Sequence, residues 1–260
     1  MHQADPRHAA RLVAYGTAST RLSLLSDRRL GEAVAAADPI GFGIGGRSAE
    51  LDIDGTRVFV KRIPLTDVEM RSENVVFLEY LPRTLSAWLS GHRDAVPPSG
   101  DSSPYPWVEE ALARGAAFMS SHGLVHFDAH FRNILTDGQL LYFADFGLAL
   151  SSDFELSEAE AEFLSNHLAY DRYYTASHLL RYHLPGGTRG EMAHDAFLQQ
   201  WIAGRQPDHV PPEIAAIIDR HAKAAVILDN FHHRLLTGSK RTPFPAAEME
   251  RAHAGASAPR

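Results

Sequence analysis

Residues 126–147 read HFDAHFRNILTDGQLLYFADFG, with polar segments on either side of two short apolar runs. The runs Ile134–Leu135 and Leu140–Phe143 have the composition of β-strands. Asp137 and Gly138 stand between them, and this dipeptide is a strong signal for a tight hairpin turn. The stretch is therefore predicted to form a small β-hairpin with a polar segment at each end.

Three polar side chains flank this predicted hairpin at fixed spacing. Asp128 and Asn133 are 5 residues apart, and Asp145 follows 12 residues later, at the end of an apolar run. A carboxylate at Asp128 can orient a hydroxyl nucleophile and accept its proton. The oxygens of Asn133 and Asp145 suit a hard cation such as Mg²⁺. The spacing predicts a site that holds a hydroxyl group near a magnesium ion.

A glycine-rich segment lies upstream, where residues 41–46 read GFGIGG and satisfy the pattern G-x-G-x-x-G. Glycines in such a loop let backbone N–H groups approach phosphates closely. The segments Leu51–Ile53 and Val58–Ile63 follow, and Asp54-Gly55 between them again predicts a hairpin turn. Because a hairpin rather than a helix follows the glycines, the dinucleotide-binding interpretation of this motif fails on context.

Lys61 lies near the end of the second of these predicted strands, in the run Val58–Lys61. A lysine on a buried strand is uncommon unless its ammonium group meets an anion. The alternative is that the side chain extends along the apolar surface to reach water.

Four motifs, taken in chain order, resemble those of the protein-kinase-like family: the glycine-rich segment 41–46, the strand lysine in 58–61, the loop 126–133 and the Asp-Phe-Gly of 145–147. The resemblance covers residues 38–150 by motif and the remainder by general layout. It implies an α+β, two-lobed protein-kinase-like fold. The N-lobe, residues 1–80, would be a small, reduced antiparallel β unit, and the C-lobe, residues 81–260, would be larger and helical.

The resemblance also implies ATP and Mg²⁺ as cofactors and assigns roles to residues. Asp128 would be the catalytic carboxylate, Asn133 and Asp145 would hold the metal, and Lys61 would pair with the α- and β-phosphates. Three glycines of the loop and a hinge segment would contact the nucleotide, with Leu78 as gatekeeper and the backbone of the last two residues facing adenine: Gly41, Gly43, Gly46, Leu78, Glu79 and Leu81.

The region after Lys61 departs from the family pattern because it is short. Only 16 residues separate Lys61 from Leu78, where the family has a long helix and a further strand. Residues 62–74 are predicted to supply two helical turns that end at Glu73. The helix glutamate that pairs with Lys61 would be Glu69 as first choice and Glu73 as second.

The catalytic loop and the segment after it also depart from the pattern of the protein-kinase family. His130 stands where protein kinases usually have lysine, and the resulting D-x-H resembles aminoglycoside and choline phosphotransferases. Phe127 replaces the usual arginine before the aspartate, and no Ala-Pro-Glu motif follows Gly147. These departures favour a small-molecule hydroxyl acceptor or an atypical protein substrate.

The rest of the chain is predicted to be mostly helical. The segment Val75–Leu78 reads as a buried strand, the tail after Gly238 is expected to be ordered only in part, and His232–His233 are expected on a solvated helix face. The predicted helices are Asp27–Ala37, Thr84–Leu89, Trp107–His122, Glu158–Leu168, Tyr170–Tyr182, His194–Ala203 and Pro212–Leu236.

Composition narrows the function classes. The 260 residues include no cysteine, which excludes disulfides, thiolate metal sites and a thiol nucleophile. A net charge of −7 argues against broad capture of nucleic acid. No apolar run approaches the ~18 residues of a membrane-spanning helix, and Met1–Ala10 lacks the core of a signal peptide. We therefore expect a cytoplasmic protein that binds neither nucleic acid nor membranes.

Three functions stay open on the sequence. The leading one is an ATP- and Mg²⁺-dependent phosphotransferase that transfers the γ-phosphate to a hydroxyl acceptor, either as an atypical protein kinase or as a small-molecule kinase. The alternative is a catalytically weak or inactive pseudokinase that acts as a nucleotide-binding or scaffold module. The third is an unrelated helical protein in which the motifs are fortuitous.

Overall fold

The computed structural model describes residues 6–43, 46–64, 73–92 and 103–256. The chain divides into two compact units, Met1–Leu81 and Pro82–Arg260. The first unit contains an antiparallel sheet and two helices, and the second is mainly helical. The expected α+β class is therefore confirmed.

The first unit is built on a four-stranded antiparallel sheet in the order β1-β2-β3-β4. The predicted hairpin is confirmed, because Asp54 and Gly55 close β2 onto β3 with φ angles of 52° and 82°. The Asp52 carboxylate accepts the Gly55 N–H at 2.8 Å and stabilises this turn. The elements are α1 (Pro6–Ser23), α2 (Asp27–Ala36), β1 (Asp38–Gly43), β2 (Gly46–Ile53), β3 (Thr56–Pro64) and β4 (Glu73–Glu79).

Helix α1 packs on one face of this sheet. Val58 and Val60 of β3 are 1% and 0% exposed, and Leu22 of α1 lines a common cavity with Val58. Because side chains alternate along a strand, Lys61 extends from the opposite face to Val60. The guanidinium of Arg11 also binds the Glu79 carboxylate, with 2.5 Å between Nε and Oε1, and so links α1 to β4.

Two expectations for this unit are wrong. Glu73 does not end a helix; it begins β4 and pairs with Pro64 across the sheet. The other candidate partner of Lys61, Glu69, lies outside the described residues. The strand expected at Val75–Leu78 is present but is not buried, since Leu78 is 45% exposed. It is the edge strand of its sheet, so its apolar side chains have less cover than those of β3.

The second unit combines short strands with long helices. The predicted hairpin at 134–143 is confirmed, with Gly138 at a φ of 91° and the Asp137 carboxylate accepting two backbone N–H groups. The elements are β5 (Arg83–Thr84), α3 (Leu85–His92), α4 (Pro104–Ser121), β6 (Leu124–Val125), β7 (Ile134–Thr136), β8 (Leu141–Phe143), β9 (Leu150–Ser151), α5 (Glu158–His167), α6 (Tyr170–Tyr182), α7 (His194–Ile202), α8 (Pro212–Thr237) and α9 (Ala246–Ala256).

The predicted helices of this unit are confirmed, with boundaries that shift by a few residues. One helix was not predicted: the tail after Gly238 continues into α9, whose Met249 is completely buried in a cluster with Phe231. Met249 is the one large apolar residue of α9, whose other residues are small or polar, and this gives too weak a period to indicate a packed helix. Among the described residues, no helix has the length and apolar character needed to cross a membrane.

An ion-pair network joins α4 to α8. The Glu109 carboxylate accepts hydrogen bonds from Arg220 Nε at 2.8 Å and from His221 Nε2 at 2.7 Å. Burial alone would raise the pKa of Glu109, but the hydrogen bonds and charges of His221 and Arg220 outweigh it and lower the pKa to about 2.

Glu109→Gln is therefore expected to lower the free energy of unfolding by about 3 kcal/mol at neutral pH, since it removes the charge that pairs with the buried His221 and the partly exposed Arg220. The folded-state pKa is depressed, so this contribution is complete above the ordinary pKa of 4.5 and is lost as the pH falls towards about 2. Urea denaturation near pH 7 and pH 3 checks both statements. Glu110→Gln is the control, because its partner Arg114 is exposed and its loss should cost about 0.5 kcal/mol or less.

Candidate active site

The loop between β6 and β7 is anchored by a buried carboxylate. Asp171, in the first turn of α6, is 2% exposed and accepts the backbone N–H groups of His126 at 2.6 Å and Phe127 at 3.0 Å. Burial raises the pKa of Asp171, and the two N–H groups offset part of that rise. Because Phe127 has a φ of 61°, the chain reverses at this anchor and presents Asp128 beyond it.

His126 connects this loop to the strand that precedes Asp145. Its fully buried ring donates from Nε2 to the Ala144 carbonyl at 2.9 Å. Its Nδ1 atom accepts the Asp128 N–H at 3.3 Å. The two contacts fix the Nε2–H tautomer. His126 therefore holds the backbone next to Asp128 and next to Asp145 in one arrangement.

Asp128 and Asn133 are bonded to each other within the loop. The Asn133 Nδ2 group donates to the Asp128 carbonyl at 3.0 Å and to Asp128 Oδ2 at 2.9 Å. The Asp128 side chain is 35% exposed, and its Oδ1 atom lies 3.7 Å from His130 Nε2. Because Asn133 uses its amide nitrogen in the loop, its Oδ1 atom is the part suited to a cation.

Asp145 is placed beside Asn133 by the β7–β8 hairpin. Ile134 pairs with Phe143, and the next backbone bond runs from the Ala144 N–H to the Asn133 carbonyl at 2.8 Å. Asp145 itself is exposed, with φ of 59° and ψ of 62°. A left-handed conformation is uncommon outside glycine and is often found at functional sites. The Asn133 side chain is thus bonded to Asp128, and its backbone is bonded to the residue before Asp145, all within the second unit. The side-chain oxygens of Asn133 and Asp145 are of the kind that Mg²⁺ prefers.

The glycine motif lies in the first unit, in the β1–β2 hairpin. Gly41 and Gly43 belong to β1, and Gly43 pairs with Gly46 at the start of β2. Gly46 has a φ of 118°, and a Cβ at this position would lie 1.9 Å from the Arg62 carbonyl oxygen. Close approach of β2 to β3 therefore requires glycine here whatever the loop binds. Gly41 has open space around it.

Lys61 and the predicted hinge also belong to the first unit. Lys61 is half-buried and pairs in register with Ser48 and Val76. Glu79 is the last residue of β4, and Leu81 ends the unit. The nucleotide contacts expected of Lys61, Leu78, Glu79 and Leu81 stay predictions.

Neutral aromatic and imidazole rings cluster around His130. The ring of His178 lies 6.5 Å from that of His130 and 4.6 Å from that of Phe131. Burial, followed by the charges of His183 and His130, lowers the pKa of His178 to about 3. Burial and the nearby Asp128 carboxylate raise the pKa of Tyr174 to about 12. At neutral pH these groups next to the loop are uncharged.

A second group of possible metal ligands lies away from the loop. One ligand atom each of His194, Asp195 and Asp229 lies within 4.8 Å of the others. Arg181 already reaches both carboxylates, at 2.8 Å from Asp229 Oδ2 and 3.4 Å from Asp195 Oδ1. The guanidinium of Arg181 thus supplies the positive charge beside both carboxylates. We interpret the group as a structural ion-pair cluster.

In comparisons with known proteins, neither a protein-family model nor a curated protein matches the chain.

Proposed function

We propose that this protein is an ATP- and Mg²⁺-dependent phosphotransferase that transfers the γ-phosphate to a hydroxyl acceptor. In this proposal the first unit is the reduced N-lobe of a two-lobed protein-kinase-like fold, and the second is its helical C-lobe. One observation carries the proposal: Asn133 binds Asp128 through its side chain and the residue before Asp145 through its backbone. The proposed base and the two proposed metal ligands therefore belong to one hydrogen-bonded loop and hairpin.

The chemistry asks the protein mainly to position groups and to neutralise charge. The acceptor hydroxyl would bind Asp128 Oδ1, because Oδ2 is held by Asn133. As the acceptor oxygen forms its bond to the γ-phosphorus and the bond to the β-phosphate oxygen breaks, the hydroxyl proton passes to Asp128. Asn133 and Asp145 would hold Mg²⁺, which would neutralise part of the phosphate charge. The family resemblance assigns the remaining phosphate oxygens to Lys61 and to the glycine N–H groups of the first unit.

A small-molecule acceptor has more support than a protein. Phe127, at the position of the usual arginine, packs its ring 5.4 Å from Tyr170 and 5.6 Å from Phe163. Because the Phe127 side chain carries no positive charge, it cannot pair with a phosphate group as the usual arginine does. The segment between Leu148 and α5 is short and includes β9, so it leaves little length for a peptide platform. The uncharged groups near Asp128, such as Tyr174 and His178, suit a polar molecule that offers a hydroxyl.

The inactive alternative is favoured by a separate observation. Only residues 65–72 separate β3 from β4, and Glu69 is the single glutamate among them. The kinase-like family has a long helix at this place, and in the alternative hypothesis the shortened segment does not support catalysis. The chain would then act as a nucleotide-binding or scaffold module without phosphate transfer.

Thermal unfolding with ATP, with and without Mg²⁺, tests the proposed cofactor site on the wild type and on Asp145→Asn. Ligand at about 100 times its dissociation constant adds about 2.7 kcal/mol, which raises Tm by several degrees for a chain of this size. We expect a Mg²⁺-dependent rise that Asp145→Asn abolishes. The control is Asp153→Asn, which removes an exposed carboxylate of the same unit and should leave the rise unchanged.

The outcomes separate the hypotheses. No rise at millimolar ATP, or a rise that Asp145→Asn leaves intact, contradicts the proposed site. A Mg²⁺-dependent rise without transfer to any acceptor, water included, supports the scaffold alternative instead. The acceptor panel should include an aminoglycoside, choline and a serine-containing peptide, each with γ-labelled ATP.

A further inference from the structure

The second unit contains a pocket of about 990 Å³ that the proposed chemistry does not use. It lies between α5, α6, α8 and the segment that joins α8 to α9. Its walls include five aromatic residues from elements far apart in the sequence, Phe127, Phe163, Tyr170, Phe231 and Phe244. A volume of this order is typical of a small-molecule site.

The α8–α9 segment, which forms one wall of the pocket, is held in place by ring contacts and hydrogen bonds. The Phe244 ring lies 5.0 Å from the His167 ring and 5.5 Å from the Phe231 ring. Within the same segment, Thr242 Oγ1 donates to the Ser239 carbonyl at 2.7 Å, and the Arg241 N–H donates to Ser239 Oγ at 3.1 Å. The pocket is therefore preformed, which reduces the ordering cost of binding.

The interior of the pocket is uncharged at neutral pH but not entirely apolar. Burial lowers the pKa of His167 and of His232, so both rings stay neutral. The Tyr170 hydroxyl and His232 Nε2 lie 3.1 Å apart and form a polar contact in the wall. His232 is thus half-buried and bonded, which corrects the expectation of a solvated face at this residue.

The positive charges of the pocket are confined to its mouth. Lys240 and Arg241 line the pocket and are exposed, and they are its charged lining residues. An aromatic interior with two adjacent cations at its edge complements a flat apolar molecule that ends in an anion. A cationic ligand would meet like charge, and a fully polar ligand would leave the aromatic walls without contact.

We infer that this pocket binds a small organic acid, with its apolar ring system among the aromatic walls and its anionic group at Lys240 and Arg241. The site is separate from the Asp128 carboxylate, although Phe127 belongs to both the loop and the pocket wall. The inference does not depend on ATP or on phosphate transfer.

Three naphthalene probes of equal size test the inference on the full chain without nucleotide: 2-naphthoate, neutral 2-acetylnaphthalene and cationic 2-naphthylmethylammonium. Isothermal titration calorimetry gives each Kd, and ligand-observed NMR verifies contact. We expect the anion to bind about fivefold or more tightly than the neutral probe, an advantage that weakens as salt is added. The cation should bind most weakly.

Variants of the lining residues test whether the probes bind in this pocket. Lys240→Gln with Arg241→Gln should remove the advantage of the anion and leave the neutral probe unchanged. Arg205→Gln with Lys223→Gln removes the same charge from exposed positions elsewhere in the unit and should change nothing. Asn166→Trp, at an exposed pocket-lining position, should weaken both probes. Equal Kd values for the three probes, an equal effect of the control pair, or no binding at millimolar probe overturns the inference.

Discussion

Asp128→Asn is expected to lower phosphate transfer by about a hundredfold to ten-thousandfold, the range associated with loss of a general base. The substituted amide keeps the shape of the side chain and can still accept the hydrogen bond from Asn133 Nδ2, so the loop should hold its conformation. What it loses is the charge and basicity at Oδ1. The rate is measured in single-turnover reactions with γ-labelled ATP and the best acceptor of the panel.

The Mg²⁺-dependent thermal shift with ATP should survive in the same variant, because Asp128 is not one of the proposed metal ligands. Asp153→Asn again serves as the exposed control and should transfer phosphate at the wild-type rate. Transfer by Asp128→Asn within about twofold of the wild type would rule out the assigned base. Loss of transfer and of the thermal shift together would instead indicate a general defect of the loop.

The parts of this site that the sequence predicted are those encoded locally. The β7–β8 hairpin follows from two short apolar runs and the Asp137-Gly138 turn, and its register then places Asn133 beside the residue before Asp145. The β2–β3 hairpin follows in the same way from Asp54-Gly55. In both cases the signal spans about ten residues, so alternation and turn chemistry suffice to fix the pairing.

The parts that were missed depend on contacts between distant residues. Asp171 bonds to the backbone of His126 across 45 positions, whereas in the sequence it looks like an ordinary acidic residue in the first turn of a helix. Helix α9 depends on the burial of Met249 against α8, and the aromatic pocket collects residues from Phe127 to Phe244. Exposure of β4 was missed because an apolar run does not reveal that its strand lies at an edge.

Asp171→Ala is expected to lower the free energy of unfolding by about 3 kcal/mol, because it leaves the buried N–H groups of His126 and Phe127 without an acceptor. Urea denaturation measures this loss. Since the anchor lies directly before Asp128, the variant should also release the loop locally. Hydrogen exchange at the amides of residues 126 and 127 should therefore accelerate more than exchange in α7.

Asp229→Ala separates this local effect from destabilisation in general. Asp229 is also a largely buried carboxylate of the second unit, with Arg181 and His194 as its partners, and its loss should cost a comparable free energy. It contacts neither His126 nor Phe127, so exchange at those two amides should follow only the global change. If the two variants accelerate exchange at residues 126 and 127 equally, Asp171 does not anchor the loop locally. If only Asp171→Ala does so and its phosphate transfer falls by more than the unfolded fraction explains, Asp171 is a positioning residue for Asp128.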